Sequence, residues 1–270
     1  MPLLQKLPEI LAQPPQGGWH SKDFAGIDQL HIGGLKATKK LLDWLPIAAQ
    51  KGLDMGAGLG GCARLLALEH GCQMTASDLD ADYIAAAQLL DQALSNSPNC
   101  TYVVADSLAL PFAEQSFDFI ISQHAMMPIA DKPSLLQGAY DLLQPGGSLL
   151  LHEVYLSPDK QASQVTYPTP WAQEAAHSHL QTWDQFANMC TDMGWILTRQ
   201  EDKTAQSLAW INAARAKISG AQGSNMTPMR NPLHAGLALG KQAGTMSANV
   251  AYNLANGFIE VRSALLTRLS

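Results

Sequence analysis

Charged side chains are scarce in this chain of 270 residues, 15% against 47% hydrophobic, a balance that excludes a disordered or fibrous polypeptide and supplies a sizeable core. The net charge is −6 and Lys and Arg never form a run, so there is no basic stripe to meet phosphates, and nucleic acid is not an expected partner. Long apolar runs are also missing. The opening stretch MPLLQKLPEILAQPPQGGWH is broken by Lys6, Pro8, Glu9 and Pro14-Pro15, which fits neither a signal peptide nor a membrane span. A cytoplasmic protein without membrane association is expected. Cysteine is limited to Cys62, Cys72, Cys100 and Cys190, scattered without a CxxC pair, which favours reduced core thiols over disulfides or zinc ligands. His177 and His179 lack a third ligand at suitable spacing, and the Met-rich pieces at 126–127 and 226–229 suit flexible packing, so no metal site is expected.

What is present is a rhythm. From Gly52 onward short apolar runs alternate with helical patterns, the signature of strands and crossover helices in a parallel sheet. A strand ending near Met55 enters a glycine loop and a helix, Cys62 to His70. A strand from Gln73 to Ser77 precedes an Ala-rich helix, Asp80 to Leu94. Tyr102 to Ala105 and Phe117 to Ser122 make further strands. Pro133 to Leu143 reads as a helix closed by Pro145-Gly146-Gly147, and Ser148 to Val154 as a fifth strand. Prolines at 158, 168 and 170 break the next stretch, which is expected to cross the open face of the sheet. Trp183 to Met193 reads as helical, Trp195 to Glu201 as extended, Leu208 to about Asn256 as an interrupted helical cap, and Phe258 to Leu269 as a return to the sheet. The length exceeds the usual single-domain size but suits one elaborated α/β domain with a cap.

The strongest local signal is Leu53-Asp54-Met55-Gly56-Ala57-Gly58-Leu59-Gly60-Gly61, between a strand and a helix. Glycines there permit a tight turn and close approach of backbone to ligand, and free amides of the turn and helix start could donate to ligand oxygens. Gly56, Gly58 and Gly61 also satisfy the GxGxxG spacing of nicotinamide and flavin enzymes. Asp78, ending the next strand, could accept from both hydroxyls of a ribose in either class. Asp54 could touch a ligand or satisfy loop amides, and both options stay open here.

The wider pattern is similar to the class I S-adenosylmethionine-dependent methyltransferases. Asp54 precedes the glycines, Ala105-Asp106-Ser107 follows the third strand, Phe117-Asp118-Phe119-Ile120-Ile121 precedes a loop, and Leu142-Leu143-Gln144-Pro145-Gly146-Gly147 precedes the fifth strand. The resemblance runs from about Gly52 to Val154. It implies an α/β fold: a Rossmann-like, mostly parallel seven-stranded sheet with helices on both faces and a helical cap. The corresponding division is 1–50 as an N-terminal helical cap, 51–156 as the cofactor-binding core, and 157–270 as the rest of the sheet with cap insertions. S-adenosylmethionine is the implied cofactor. Asp54, Gly56, Ala57, Gly58, Gly60, Asp78, Leu79, Asp106, Ser107 and Gln123 are its implied contacts, with the glycines along the methionine part, Asp78 at ribose, Leu79 on the adenine ring, and Asp106 with Ser107 at adenine.

Two further segments, Asp28 to Thr38 and Ser122 to Lys132, resemble sarcosine and dimethylglycine methyltransferases and their relatives, which methylate small amines. A fragmentary similarity continues from Asn249 to Gly257. Where such relatives carry an acidic residue after Ser122-Gln123, this chain has His124, and Met127-Pro128 stands where a histidine is expected. A small-molecule methyl acceptor is therefore expected, an amine slightly ahead of an oxygen or carbon acceptor, on a monomer or homodimer. His124 and His152 are the candidates for acid–base catalysis, since a neutral imidazole can take a proton near neutral pH. His31, Met127, Tyr167 and Trp171 are the candidates for acceptor contact, and Glu153 for binding a cation, acting as a base or satisfying an amide. The competing classes are a noncatalytic cofactor-binding protein and, less favoured by Asp54 and Asp106, a nicotinamide-dependent oxidoreductase.

Overall fold

The computed structural model describes residues 2–45, 50–222 and 232–269. Seven strands form one sheet: β1 (Lys51–Met55), β2 (Gln73–Asp78), β3 (Cys100–Val104), β4 (Phe117–Gln123), β5 (Leu143–Leu156), β6 (Trp195–Asp202) and β7 (Ile259–Arg268). Their order is β3-β2-β1-β4-β5-β7-β6. The first five run parallel, and β7 lies antiparallel between β5 and β6. This is the mostly parallel seven-stranded architecture expected from the sequence.

The central strands are nearly continuous apolar runs because both faces of the sheet are covered. On one face Leu149 and Leu151 of β5 pack with Phe117 of β4 against Leu135 and Leu136 of the helix Lys132–Leu142 and Phe186 of the helix Trp183–Asp192. On the other, Leu150, Phe119 and Ile121 meet Leu41 of the helix Gly34–Leu42 and Ala63 and Leu66 of the helix Gly61–His70. The period-two alternation along β5 thus divides its leucines between two cores. Helix starts carry the expected caps: the Asp80 carboxylate accepts from the amides of Asp82 (2.8 Å) and Tyr83 (3.3 Å) ahead of Ala81–Gln92, and Asp131 accepts from Ser134 (3.0 Å). Each such cap stabilises its helix by ~1 kcal/mol.

One boundary differs from expectation. The fifth strand starts at Leu143, paired with Phe117, and the register then jumps to Phe119 opposite Ser148. Gln144 to Gly147 bulge out of the ladder, since Pro145 has no amide to donate.

The N-terminal helices share a core with the sheet's own helices: Leu3, Leu7, Phe24 and Ile27 pack on Ala86, Leu90 and Leu59. Between β6 and β7 the chain forms the helices Thr204–Gln222, Ala235–Leu239 and Ala243–Ala255. The first begins four residues before the expected Leu208, because Asp202 accepts from the Thr204 amide (2.8 Å) and caps it. The Met226–Met229 pair lies outside the described residues. Among the described residues no helix is long and apolar enough to cross a membrane.

Candidate functional site

The loops after β1, β2, β3 and β4 converge at the carboxyl ends of the parallel strands, where ligands bind in open α/β sheets. Gly56 has φ +76°, and a side chain there would collide with the Cβ of Ala125. The glycine turn and the loop after β4 therefore touch. Gly58, with φ +54°, faces open space.

The amides of this turn are engaged within the protein. Gly56 and Ala57 both donate to the Ser77 carbonyl (2.9 Å each), Gly58 donates to Asp78 Oδ2 (2.7 Å), and Gly60 donates to the Ala57 carbonyl (2.9 Å). The expectation of turn amides donating to ligand oxygens is corrected for these four residues. Two carboxylates also close the start of the helix Gly61–His70. Asp54 accepts from the Ala63 amide (3.1 Å), and a side chain on Gly61 would strike Asp28. Asp54 thus takes the amide-satisfying option with one oxygen, and burial pushes its carboxyl up to about 7. Gly60 is corrected as well: its bare Cα accommodates the Tyr102 ring, which a side chain would hit.

At the end of β2 the carboxylate of Asp78 accepts from Gly58 and from Asp80 (2.9 Å), and burial raises its pKa. Beside it Leu79 is 71% exposed, an unusual position for a large apolar side chain. At the end of β3, Asp106 Oδ1 accepts from the Leu108 amide (2.9 Å) in a side-chain-stabilised turn that holds Ser107. Leu108 and Val104 are exposed too, so the ends of β2 and β3 present apolar surface next to two carboxylates. A gap at Gly58, a ribose-competent carboxylate and an apolar platform fit S-adenosylmethionine.

On the acceptor side the structure brings together three histidines that are far apart in the chain. The rings of His124 and His152 stack with centroids 5.1 Å apart, and His31 meets them edge-on at 6.1 and 5.9 Å. Burial holds all three neutral: His31 is pushed down to about 3, His152 to about 4, and His124 well below its usual value. Their hydrogen bonding separates them. His152 Nε2 donates to the Ile32 carbonyl (3.0 Å), leaving Nδ1 to accept from the Ser263 hydroxyl (2.9 Å). With both nitrogens committed, His152 is corrected from candidate base to structural residue. His31 Nε2 is held by Thr38 Oγ1 (3.0 Å) and the Gly34 carbonyl (3.3 Å), which fixes the ring beside His152. Gln123 turns its side-chain amide to Thr38 (3.3 Å) and towards His31 Nε2 (3.4 Å). Of the three histidines, His124 alone has no hydrogen bond to its ring among the described residues, and its Nε2 is buried. Its backbone adopts φ +54°, a left-handed conformation that costs on the order of 1–3 kcal/mol when a non-glycine residue is held in it.

Ile32 and Met127 carry the cluster into the cap core of Val154, Ile211, Val250 and Val261, against which Tyr167 and Trp171 pack. Met127 is buried there, and it also lines a small cavity with Lys132, Glu153 and His179. Trp171 Nε1 donates to Ser178 (3.0 Å), and Asn249 and Asn253 hold the backbone at Pro168 and Thr166 (2.9 Å each). Glu153 takes the third of its options. It accepts from Ser122 Oγ (3.0 Å) and the amides of Ala125 (3.1 Å) and Met126 (3.3 Å), bracing the loop after β4, with its carboxyl raised by burial to about 7.

Sequence reasoning missed Arg64. It is wholly buried and binds Asp28 (2.6 Å), Asp91 (2.5 Å) and the Leu59 carbonyl (3.1 Å), tying the N-terminal segment to the glycine loop. A lone cation within Gly61-Cys62-Ala63-Arg64-Leu65-Leu66 was the available signal. Thr38 and Gln29, bonded to one another (2.9 Å), were equally unmarked.

Comparison with known proteins agrees with this architecture. A family model described as a methyltransferase domain matches residues 53–151. Phosphoethanolamine N-methyltransferase 1 of Triticum aestivum is 30% identical over 189 residues, 68% of this chain and 36% of that enzyme. The ubiquinone/menaquinone biosynthesis C-methyltransferase UbiE of Dinoroseobacter shibae is 30% identical over 181 residues, 65% of this chain and 66% of that one. Among solved structures, a candidate sarcosine dimethylglycine methyltransferase from Galdieria sulphuraria superposes with TM-score 0.71 at 17% identity, covering 87% of this chain and 85% of its own. Phosphoethanolamine N-methyltransferase 2 of Haemonchus contortus, in complex with S-adenosyl-L-methionine, gives TM-score 0.74 at 20% identity over 93% of this chain and 57% of its own. This chain carries a class I S-adenosylmethionine-dependent methyltransferase domain. It spans about a third of the length of the wheat relative, 36%.

Proposed function

We propose that this protein transfers the methyl group of S-adenosylmethionine to a small-molecule acceptor. One observation carries the choice of cofactor: Asp54 accepts from the Ala63 amide at the helix start that a dinucleotide pyrophosphate would use, and the amides of Gly56, Ala57, Gly58 and Gly60 are engaged within the protein. An anion is disfavoured there, whereas a sulfonium nucleoside has no phosphate to place. The oxidoreductase alternative loses its binding chemistry.

When bound, S-adenosylmethionine supplies an electrophilic methyl carbon with a good leaving group. The chain's residues bind and orient. Gly56, Ala57 and Gly58 border the methionine part, Asp78 accepts from ribose hydroxyls, Leu79 covers one face of adenine, and Asp106 with Ser107 meets its edge. The acceptor enters between the loop after β4 and the segment 157–182, with Tyr167 and Trp171 as walls and His124 at the floor. Alignment of nucleophile and methyl group can supply up to about 7–11 kcal/mol. In this scheme 1–50 and 157–270 build the acceptor side and 51–156 the cofactor side. A monomer or homodimer in the cytoplasm, with no nucleic-acid partner, is part of the same proposal, supported by four free cysteines and the acidic surface.

The relatives compared above are named for methyl transfer to nitrogen or to carbon, which spans more than one acceptor class and leaves the acceptor atom to this chain's own residues. Calorimetry with S-adenosylhomocysteine against NADH tests the cofactor, with binding of the first alone expected. Mass spectrometry with labelled S-adenosylmethionine and a metabolite extract tests transfer. Preference for NADH overturns the proposal, and label in no product with S-adenosylhomocysteine bound supports a noncatalytic role instead.

A further inference from the structure

Two polar groups on the proposed acceptor side are buried without a hydrogen-bond partner among the described residues, the imidazole of His124 and the hydroxyl of Tyr167, and of the two the imidazole is the one that can take up a proton near neutral pH. Its Nε2 is buried without a partner, a state that costs ~1–3 kcal/mol unless a ligand satisfies it. The residue is held in place by its own amide, which donates to the His152 carbonyl (2.9 Å), and by stacking on the His152 ring. His152 is in turn pinned by Ser263 and Ile32, and His31 by Thr38 and Gly34. Two committed imidazoles thus brace a third that is uncommitted. The contact of Gly56 with Ala125 sets this ring one residue from the glycine turn.

The charges around this floor are spoken for. Glu153 faces Ser122 and the amides of Ala125 and Met126, Asp28 faces Arg64, Asp54 faces Ala63, and Lys132 donates to the carbonyls of Ile129 and His179. Lys203, near His152, is paired with Glu201. The histidine cluster instead adjoins the apolar cap cluster through Ile32, whose carbonyl binds His152, and that cluster also holds Met127, with Tyr167 and Trp171 packed against it. A wall of this kind places no counter-charge against an ammonium or a phosphate, and leaving either unpaired in it is expensive.

We propose that the acceptor is an uncharged molecule with an apolar body whose hydroxyl is the methylated group, and that this hydroxyl donates its hydrogen bond to His124. The inference rests on the S-adenosylmethionine reading above. The acceptor oxygen forms its bond to the methyl carbon as the carbon–sulfur bond breaks, the bonding pair stays on sulfur, and the hydroxyl proton passes to His124 Nε2. An oxygen that gains a methyl group while keeping its proton becomes a strong acid. A weakly basic imidazole, such as burial makes of His124, is therefore sufficient to receive that proton late in the step.

The test uses the full chain with two uncharged probes, catechol and 2-naphthol, against three charged ones, glycine, sarcosine and phosphoethanolamine. Calorimetry first measures S-adenosylhomocysteine binding, then probe binding to that complex; methyl transfer from labelled S-adenosylmethionine follows. Expected are 2-naphthol or catechol binding and O-methylation, with no label on the three charged probes. His124→Gln and His124→Asn should then lower kcat for the phenol by about 10²–10⁴-fold while leaving S-adenosylhomocysteine affinity within twofold. Methylated sarcosine, glycine or phosphoethanolamine overturns the inference. So does tight S-adenosylhomocysteine binding with neither phenol bound nor methylated, or full phenol turnover in both variants. Failure to bind S-adenosylhomocysteine removes the cofactor reading itself, which separates the two failures.

Discussion

Replacing Arg64 by Met removes the cation from a fully buried network while conserving most of its volume. The guanidinium then no longer faces Asp28 (2.6 Å), Asp91 (2.5 Å), or the carbonyls of Leu59 (3.1 Å) and Ala87 (3.3 Å). Asp91 is partly exposed and keeps the Tyr102 hydroxyl (2.8 Å), so its loss is modest. Asp28 is buried, and one of its oxygens already lacks a partner, so it carries the penalty. Removing one member of such a pair costs about 3–5 kcal/mol. Protonation limits the loss. Burial already raises Asp28 to about 6 from an ordinary 3.8, and without Arg64 it moves higher and is neutral at pH 7. Carrying that proton at pH 7 costs about 4 kcal/mol relative to the unfolded chain, at about 1.4 kcal/mol per pH unit; the raised pKa of the wild type already costs it about 3 kcal/mol, so protonation alone accounts for about 1 kcal/mol of the variant's loss and the rest comes from the unpaired hydrogen-bonding groups. The penalty should shrink by about 1 kcal/mol between pH 7 and 5.5, the wild type taking up part of the same proton over that range. Urea unfolding followed by circular dichroism at both pH values measures this, with Arg64→Met/Asp28→Asn as the paired variant expected to recover at least half. A loss under about 1 kcal/mol for Arg64→Met at both pH values refutes the reasoning.

Asp78→Ala removes the acceptor for Gly58 and for the ribose, and S-adenosylhomocysteine affinity by calorimetry should fall about ten- to a hundredfold; unchanged affinity removes Asp78 from the cofactor site. Leu79→Ser, at an exposed position, should leave the unfolding midpoint in place but weaken S-adenosylhomocysteine binding about fivefold through lost apolar contact; equal binding would remove Leu79 from the adenine platform. His152 has its pKa lowered to about 4 in the fold from an ordinary 6.5. Its contribution to stability is therefore complete above pH 6.5 and declines as pH falls towards 4, by about 2 kcal/mol at pH 5. His152→Asn should flatten the fall in urea stability between pH 7 and 5 by that amount, and an unchanged slope refutes the assignment of a buried neutral ring.

The sheet was legible because its information is local: period-two and period-3.6 apolar patterns with Gly, Pro and Asp at their ends mark strands and helices wherever packing is uniform. Pattern stopped being informative at the Leu143 boundary, where a bulge keeps the chain in the ladder across Pro145. The carboxylates at the ends of β2 and β3 could be named because strand order alone brings them together. The histidine cluster could be named residue by residue, but its division of labour could not. Ser263 and Ile32, which commit His152, stand 111 and 120 residues away from it in the chain. Asp54 shows the same limit, since which amide a carboxylate meets depends on the angle at which a helix leaves its loop.

The position of β7 gives the cap a separate history from the sheet. β6 and β7 are antiparallel neighbours that a tight hairpin could join in a few residues, yet the helices from Thr204 to Ala255 stand between them. The insertion is sealed at its base, where the Lys203 amide donates to the Val261 carbonyl (2.8 Å) and Arg262 faces Asp202 (3.6 Å). The ladder between β6 and β7 runs from Trp195–Arg268 to Asp202–Arg262, so the strands pair up to the point where the insertion begins. The cap is thus a graftable module: selection, or an engineer, can exchange it to change which molecule is admitted without rewriting the machinery beneath.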